Sequence, residues 1–236
     1  CLPLASLLEE ASSFPSKLEE MFLLQKQLND STNGKNWELG LNKFNKEINW
    51  LRCIHMEVAE LIDSTPWQHW KNINSSPDMN NIHVELVDIW HFLMSYILQE
   101  TNVPKAVSLV NTHCIYEAAQ NIDVNLIIKE SEKLSYIALA IETKNMPSFS
   151  GIERFIEQFF RACKSAGLSF SWLQKLYIGK NCLNQFRQDN GYKEGTYKKV
   201  WNGSEDNVVM VELLKTIEDI SFDELYEQLK LKYNQN

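Results

Sequence analysis

The spacing of apolar residues along the chain is helical over most of its length. Apolar side chains recur three and four positions apart, as on one face of an α-helix. Neither Pro nor Gly occurs between Pro104 and Pro147. The pattern predicts helices over residues 16–29, 43–63, 80–100, 104–120, 123–143, 151–165, 170–189, 205–218 and 222–231. No stretch is typical of a strand, so we expect one all-α domain over residues 1–236, a multi-helix bundle.

Capping and breaking residues set the predicted helix ends. Gly34, Gly167 and Gly191 follow predicted helices, as expected of C-terminal breakers. Helix starts are predicted where a side chain can cap the first turn: Asp123, Ser148 or Ser150, Ser169, and Ser221 with Glu224 three residues later. We expect an ordered polar loop over residues 191–204.

Two pairs of carboxylates interrupt otherwise apolar runs. Glu57 and Glu60 lie in "CIHMEVAELI", and Glu85 and Asp88 lie in "IHVELVDIWHFLMSYIL". Residues three apart share a helix face. Because only 24 residues separate the pairs, we expect an antiparallel helical hairpin on which the four carboxylates converge.

Four converging carboxylates repel one another unless a cation lies between them. An all-oxygen ligand set suits Mg²⁺, with Mn²⁺ as a possible substitute, and Mg²⁺ commonly bridges carboxylates to phosphates. A solvated helix face is the usual alternative for such pairs. It is weaker here because apolar residues surround Glu85 and Asp88 on nearly every side.

A local basic excess marks residues 180–199, "KNCLNQFRQDNGYKEGTYKK", with five Lys or Arg and two acids. Lys180 and Arg187 are seven apart, hence on one helix face, and Tyr192 and Lys199 follow in the loop. These four residues are candidates for a phosphate clamp. An ordinary solvated helix end is the alternative, and spacing alone favours it.

Amides and aromatics suggest a pocket for a nucleobase. Gln25 and Asn29 are four apart in "LQKQLND", and their amides offer both donors and acceptors. Trp70, His91 and Phe92 flank the carboxylates and offer a wall for the base. The alternatives are surface amides and aromatic core residues, both more common at such spacings.

Composition narrows the class of protein. The net charge of −8 argues against nucleic-acid binding. The five cysteines are scattered without a CxxC, which indicates a reducing compartment, so we expect a cytoplasmic protein. No run is apolar enough to span a membrane, and no signal peptide is evident. P-loop and Rossmann motifs are absent from the sequence, which favours hydrolysis by a metal-activated water.

Taken together, the motifs resemble a known family. "EVAE" followed by "ELVD" is similar to the signature of the all-α nucleoside triphosphate pyrophosphohydrolases. Within that superfamily the chain resembles the dimeric dUTPases, from about 20 to 230 and most loosely over 100–150. The motifs that carry this narrower resemblance are "LQKQLND", "WLRCIHMEVAELIDS", "WQHWKN", "VELVDIWHF" and "GKNCLNQFRQDNGYKEGTYKKVWNGSEDN". Lys26 departs from the usual form of the first motif.

The resemblance implies a homodimeric, Mg²⁺-dependent hydrolase that converts dUTP to dUMP and pyrophosphate and also accepts dUDP. The implied roles are metal binding by Glu57, Glu60, Glu85 and Asp88; uracil reading by Gln25 and Asn29; nucleoside contacts by Trp70, His91 and Phe92; phosphate contacts by Lys180, Arg187, Tyr192 and Lys199; and a contact near the sugar by Asn207. Glu57 is our candidate for deprotonating the attacking water, and Glu60 is its rival.

The dUTPase interpretation includes one expected loop movement and stands beside two alternative functions. We expect the basic loop over 191–207 to close on the nucleotide, because it holds Gly191, Gly195 and several basic residues. One alternative is a related pyrophosphohydrolase acting on another nucleotide such as dCTP. The other is a non-enzymatic helical interaction protein, which would leave the carboxylates unexplained.

Overall fold

Helices form nearly all of the regular structure. The computed structural model describes residues 4–71, 75–114, 117–217 and 221–235; of residues 4–13 and 149 it describes the backbone. Contacts group the chain into two units, Cys1–Ser169 and Phe170–Asn236. The all-α prediction is confirmed. The expectation of a single domain over 1–236 stays a prediction beside this division.

The first unit contains six α-helices in its described part: α1 Leu4–Asn33, α2 Trp50–Asp63, α3 Met79–Glu100, α4 Val103–His113, α5 Val124–Glu142 and α6 Ser148–Ser165. A short 3₁₀ turn, Trp37–Leu39, lies between α1 and α2. Trp90 of α3 is fully buried at its centre and stacks on Phe159 of α6 with ring centroids 5.1 Å apart. The α3 sequence is apolar on most faces because neighbouring helices cover most of them.

The hairpin of α2 and α3 is antiparallel, as predicted. At one end Asp78 N–H donates to the Ser64 carbonyl at 2.9 Å, where α2 ends and α3 begins. At the other end Trp50, the first residue of α2, stacks on Phe92 of α3 at 6.1 Å. Both helices start at a polar cap: Asn49 accepts from Arg52 N, and Asp78 accepts from Asn81 N.

The second unit contains α7 Phe170–Asp189, β1 Val200–Trp201, β2 Ser204–Glu205, α8 Asp206–Thr216 and α9 Phe222–Asn234. Phe186 of α7 lies at the centre of an aromatic cluster. Its ring centroid is 5.8 Å from that of Trp201 and 5.4 Å from those of Tyr226 and Tyr233. This cluster anchors the connection between α7 and α8.

Several predicted boundaries are wrong. The first helix begins at Leu4, not at 16, and continues through Pro15. The second begins at Trp50, not at 43, because Leu41 and Glu47 form an isolated bridge closed by Asn45 at a positive φ of 58°. The fourth helix ends at His113 and not at 120, and residues 115 and 116 of its predicted range lie outside the described residues. Residue 218, the predicted end of the eighth helix, also lies outside them.

Two further expectations are corrected. Residues 200–205 form a two-stranded antiparallel ribbon, β1 with β2, with two residues in each strand, where no strand was predicted. Gly203, with a φ of 86°, permits the tight turn between the strands. The sixth helix has Pro147 as its cap residue, with no side-chain cap, so neither Ser148 nor Ser150 caps it. The caps at Asp123 and Ser221 are confirmed.

None of the described helices is both long enough and apolar enough to cross a lipid bilayer.

Candidate functional site

Three carboxylates from two helices converge in the first unit. Oxygen atoms of Glu57 on α2 and of Glu85 and Asp88 on α3 all lie within 4.8 Å of one another. Glu85 and Asp88 share a face of α3 because they are three residues apart. The antiparallel packing of α2 brings Glu57 to that face, so the predicted convergence is present for these three residues.

Burial and a fixed hydrogen bond position this cluster. Glu85 is buried at 7% exposure, whereas Glu57 and Asp88 are half-buried. Asn81, one turn earlier on α3, donates to Glu85 Oε1 at 3.1 Å and to the Ser64 hydroxyl at 2.7 Å. Asn81 thereby ties the Glu85 carboxylate to the end of α2.

The cluster strongly perturbs Glu57. Burial, the negative charge of Asp88 and a hydrogen bond with Glu85 raise the pKa of Glu57 from 4.5 to about 8. At neutral pH and without a cation, Glu57 therefore holds a proton against Glu85. Three crowded carboxylates that share a proton to limit their repulsion fit a hard divalent cation, which would replace that proton.

Glu60, the fourth predicted ligand, lies outside the three-carboxylate cluster. Its side chain is exposed on α2, one turn beyond Glu57. Its charge still contributes to the raised pKa of Glu57, as the smallest of the causes. Glu60 is therefore near the cluster without being part of it.

The two predicted amides form a buried network. Gln25 and Asn29, one turn apart on α1, are 3% and 4% exposed and both contact Ser95 of α3. Gln25 Nε2 and Asn29 Nδ2 donate to Ser95 Oγ at 3.0 Å and 2.9 Å. His91 Nδ1 lies 2.7 Å from Gln25 Oε1 and donates to it, since that carbonyl oxygen can only accept. The surface-amide alternative is thereby ruled out.

The predicted aromatic residues are in different environments. His91 is buried in the amide network, and Phe92 is half-buried against Trp50. Trp50 in turn contacts Trp37 edge-on, with ring centroids 5.9 Å apart. Trp70 lies in the α2–α3 connection, 64% exposed, with its ring against Trp67 at 5.5 Å. Only Trp70 of the three predicted residues is on an open surface.

The predicted phosphate residues all belong to the second unit. Lys180 of α7 is buried at 3% exposure, and its ammonium donates to Asn207 Oδ1 at 3.1 Å. The structure thus brings together two residues that the sequence assigned separately, one to phosphates and one to the sugar. Lys199 is exposed, and its carbonyl accepts from Asp206 N–H at 2.9 Å.

Arg187 is held by a residue that the sequence analysis missed. Its Nε and Nη2 donate to the two carboxylate oxygens of Asp206 at 2.8 Å each, and its guanidinium lies 5.7 Å from the Tyr192 ring centroid. Tyr197 donates to the same carboxylate at 2.9 Å. The bidentate face of Arg187 therefore binds a carboxylate of its own unit, and Nη1 faces Asn184 at 3.4 Å.

Lys26, the departure from the family motif, makes surface ion pairs. Its ammonium lies 2.9 Å from Glu38 and 3.5 Å from Asp30. Asp30 also accepts from the indole N–H of Trp37 at 2.9 Å. Lys26 thus links α1 to the 3₁₀ turn.

The comparison with protein families gives one match. A family model described as dUTPase matches residues 17–192, most of the chain. The match includes the three-carboxylate cluster, the amide network, Lys180, Arg187 and Tyr192, and it ends before Lys199 and Asn207. No curated protein matches the chain.

Proposed function

The chain belongs to the all-α dUTPase family, and on that basis we propose how its own residues hydrolyse dUTP to dUMP and pyrophosphate. The observation that carries the proposal is a pair of neighbouring sites on α3. The cluster of Glu57, Glu85 and Asp88 lies beside the amide network that includes His91 and Ser95. Asp88 and Ser95 are seven residues apart, which is roughly 10 Å along a helix. Carboxylates for a cation and amides for a base are thus combined in one unit.

Glu57, Glu85 and Asp88 would hold Mg²⁺, or Mn²⁺ in its place, with Glu60 nearby. When bound, the cation supplies charge neutralisation for the triphosphate and lowers the pKa of a bound water. The chemistry of the donor set supports this choice, because every candidate ligand is a carboxylate oxygen and no thiol or imidazole takes part among the described residues.

Glu57 would accept the proton of the attacking water. Without a cation, burial and the neighbouring carboxylates raise its pKa to about 8, so a cation that binds there would displace its proton. Loss of its proton on cation binding would leave a carboxylate able to act as general base. Glu60 is the rival for this role, since its exposed carboxylate can reach solvent more readily.

Gln25 and Asn29 would read the uracil edge, with Trp70, His91 and Phe92 around the nucleoside. The network supports this assignment because buried amides with defined donors and acceptors are suited to reading a base. Exposed Trp70 offers an indole face for stacking on a base or sugar.

Lys180, Arg187, Tyr192 and Lys199 would contact phosphate oxygens, and Asn207 the region of the sugar. The hydrogen bond between Lys180 and Asn207 supports a shared role for those two side chains. Because Asp206 occupies Nε and Nη2 of Arg187, a phosphate would be met by the remaining N–H groups. The Asp206 pair would then orient the guanidinium.

The proposal extends to substrate range, assembly and compartment. A site that releases dUMP from dUTP would also accept dUDP, which shares its base and first two phosphates. A homodimer is supported by family membership and by exposed apolar side chains on α5, among them Tyr136 and Leu139. Cys53, Cys114, Cys163 and Cys182 are free thiols, in keeping with a reducing compartment such as the cytoplasm.

A nucleotide panel with pyrophosphate detection, with and without Mg²⁺, tests the proposal. We expect release from dUTP only with the cation, and hydrolysis in ¹⁸O-labelled water identifies the phosphorus that is attacked. Higher kcat/KM for dCTP or ATP than for dUTP would contradict the uracil assignment. Equal activity in excess chelator would contradict the role of the carboxylates.

A further inference from the structure

Ser95 lies at the centre of the amide network, although no sequence motif singles it out. Its side chain is fully buried on α3, one turn beyond His91. Its hydroxyl donates to the carbonyl of His91 at 2.8 Å and accepts from the amide nitrogens of Gln25 and Asn29 at 3.0 Å and 2.9 Å. One hydroxyl thus joins α1 to α3 through two hydrogen bonds, and a third holds it to its own helix.

The bond to the His91 carbonyl determines what Ser95 can offer the amides. A hydroxyl has one hydrogen and two lone pairs, and a carbonyl oxygen can only accept. Because the single hydrogen points at the His91 carbonyl, Ser95 Oγ has only lone pairs for its other neighbours. The amide groups that face it must therefore present their NH₂ ends, and their carbonyl oxygens must point elsewhere.

The amide of Gln25 is held at both of its ends. Gln25 Oε1 accepts from His91 Nδ1 at 2.7 Å, and Gln25 Nε2 lies 3.4 Å from Asn29 Oδ1. Rotating either amide by half a turn would place a carbonyl oxygen against the lone pairs of Ser95. The network therefore has one consistent arrangement, in which Ser95 accepts from both amides, and His91 supports the same orientation at Gln25.

This orientation matters because a carboxamide is ambiguous between pyrimidines. Uracil presents the acceptor O4 beside the donor N3–H, whereas cytosine presents a donor amine beside the acceptor N3. A carboxamide pairs with the uracil edge in one orientation and with the cytosine edge after half a turn. A freely rotating amide would consequently accept both bases.

We propose that Ser95 is a specificity-determining positioning residue that excludes cytosine by preventing rotation of the Asn29 and Gln25 amides. The inference rests on the proposed reading of uracil by these two residues. Among its described contacts, Asn29 donates one N–H to Ser95 and accepts from Gln25 Nε2 at 3.4 Å, which leaves a second N–H and one lone pair of Oδ1 for a base, on known sides of the amide. A bound cytosine would place its donor against the Asn29 N–H and its acceptor against Asn29 Oδ1, which would leave buried polar atoms without hydrogen bonds.

The test compares kcat/KM for dUTP and dCTP in the unmodified protein and in Ser95→Ala. We expect the dUTP-to-dCTP ratio to fall about tenfold or more, since a buried hydrogen-bond mismatch has this size of effect. Loss of stability alone lowers both activities equally and cancels in the ratio. An unchanged ratio in Ser95→Ala would overturn the inference.

Two further variants keep the test decisive. Ser95→Cys is close in size and has a much weaker acceptor, so it should lower the ratio even if Ser95→Ala does not fold. Ser131→Ala is the matched control: Ser131 is also fully buried in a helix, but its hydroxyl has no hydrogen-bond partner in the described part of the chain. Its ratio should match that of the unmodified protein, and an equal fall in Ser131→Ala would contradict a specific role for Ser95.

The unmodified protein separates the two levels of the argument. If it shows no preference for dUTP over dCTP, the reading of uracil itself is wrong, and the inference on Ser95 fails with it. If it prefers dUTP and both Ser95 variants keep that preference, only the role of Ser95 is wrong.

Discussion

Arg187 and Asp206 form a buried ion pair with two parallel hydrogen bonds of 2.8 Å. The Asp206 side chain is fully buried, and 11% of the Arg187 side chain is exposed. Asp206 also accepts from the Tyr197 hydroxyl and from the Asn207 backbone N–H. This carboxylate therefore ties α7, the following loop and the start of α8 together, and it holds Arg187 in a single orientation.

Replacing Asp206 by Ala should destabilise the protein by about 3–5 kcal/mol, because it leaves Arg187 buried without its partner. Urea unfolding followed by circular dichroism measures the change. Glu205→Ala is the matched control, since Glu205 precedes Asp206 and is exposed; its effect should stay within about 0.5 kcal/mol. Equal effects of the two substitutions would show that the pair contributes little.

Replacing both partners, as in Arg187→Met with Asp206→Leu, should recover much of the stability lost in Asp206→Ala, since no buried charge remains unpaired. Turnover of dUTP should stay low if Arg187 contacts phosphate. Full recovery of activity together with stability would mean that Arg187 is structural only. The same urea unfolding and a pyrophosphate assay give both readouts.

Local patterns predicted which side chains of the candidate site share a helix face. The three-residue spacing of Glu85 and Asp88 and the short connection to α2 were enough to predict that carboxylates converge, although Glu60, predicted among them, lies outside the cluster. The four-residue spacing placed Gln25 and Asn29 on one face of α1, where spacing alone favoured surface amides. These placements follow because helical geometry determines which neighbours share a face, whereas the binding roles of these residues stay predictions.

Residues whose partners are distant in sequence were missed. Ser95 is one hydroxyl in an apolar run, and its partners on α1 are 66 and 70 residues away. Asp206 meets Arg187 only because a two-residue ribbon, also missed, turns the chain back. Asn81 is the missed residue that the sequence could have identified. It lies four residues before Glu85 in the first turn of α3, and this spacing places the two side chains on one helix face.

Glu57→Gln should lower kcat for dUTP by roughly 10²–10⁴, the usual contribution of a general base. Steady-state kinetics at saturating dUTP and Mg²⁺ measure it. Glu60→Gln is the comparison, and we expect a smaller loss because Glu60 lies outside the carboxylate cluster. The reverse order would assign the base to Glu60, and full activity in both variants would exclude both carboxylates.

The 191–207 loop should become resistant to trypsin when nucleotide binds. Lys193, Lys198 and Lys199 are exposed cleavage sites, whereas Tyr197 between them is anchored by stacking on Tyr233 at 5.5 Å. A non-hydrolysable dUTP analogue with Mg²⁺ should slow cleavage at these lysines, as identified by mass spectrometry. Cleavage at Lys144, an exposed residue of the first unit, serves as the internal control. Equal rates with and without the analogue would contradict loop closure.

Removal of the divalent cation should make stability depend on pH through Glu57. Its pKa is raised from 4.5 to about 8 by burial, by the charge of Asp88 and by the hydrogen bond with Glu85. Between these two values the folded chain holds a proton that the unfolded chain has released, so stability falls as pH rises. We expect the metal-free protein to melt at a lower temperature at pH 8.5 than at pH 6, as measured by calorimetry in chelator.

Saturating Mg²⁺ should raise the melting temperature most at pH 8.5, where no proton competes for the carboxylates. Glu57→Gln is the control, because an amide cannot titrate and should flatten this part of the profile. The same slope in that variant would show that another group controls the pH dependence.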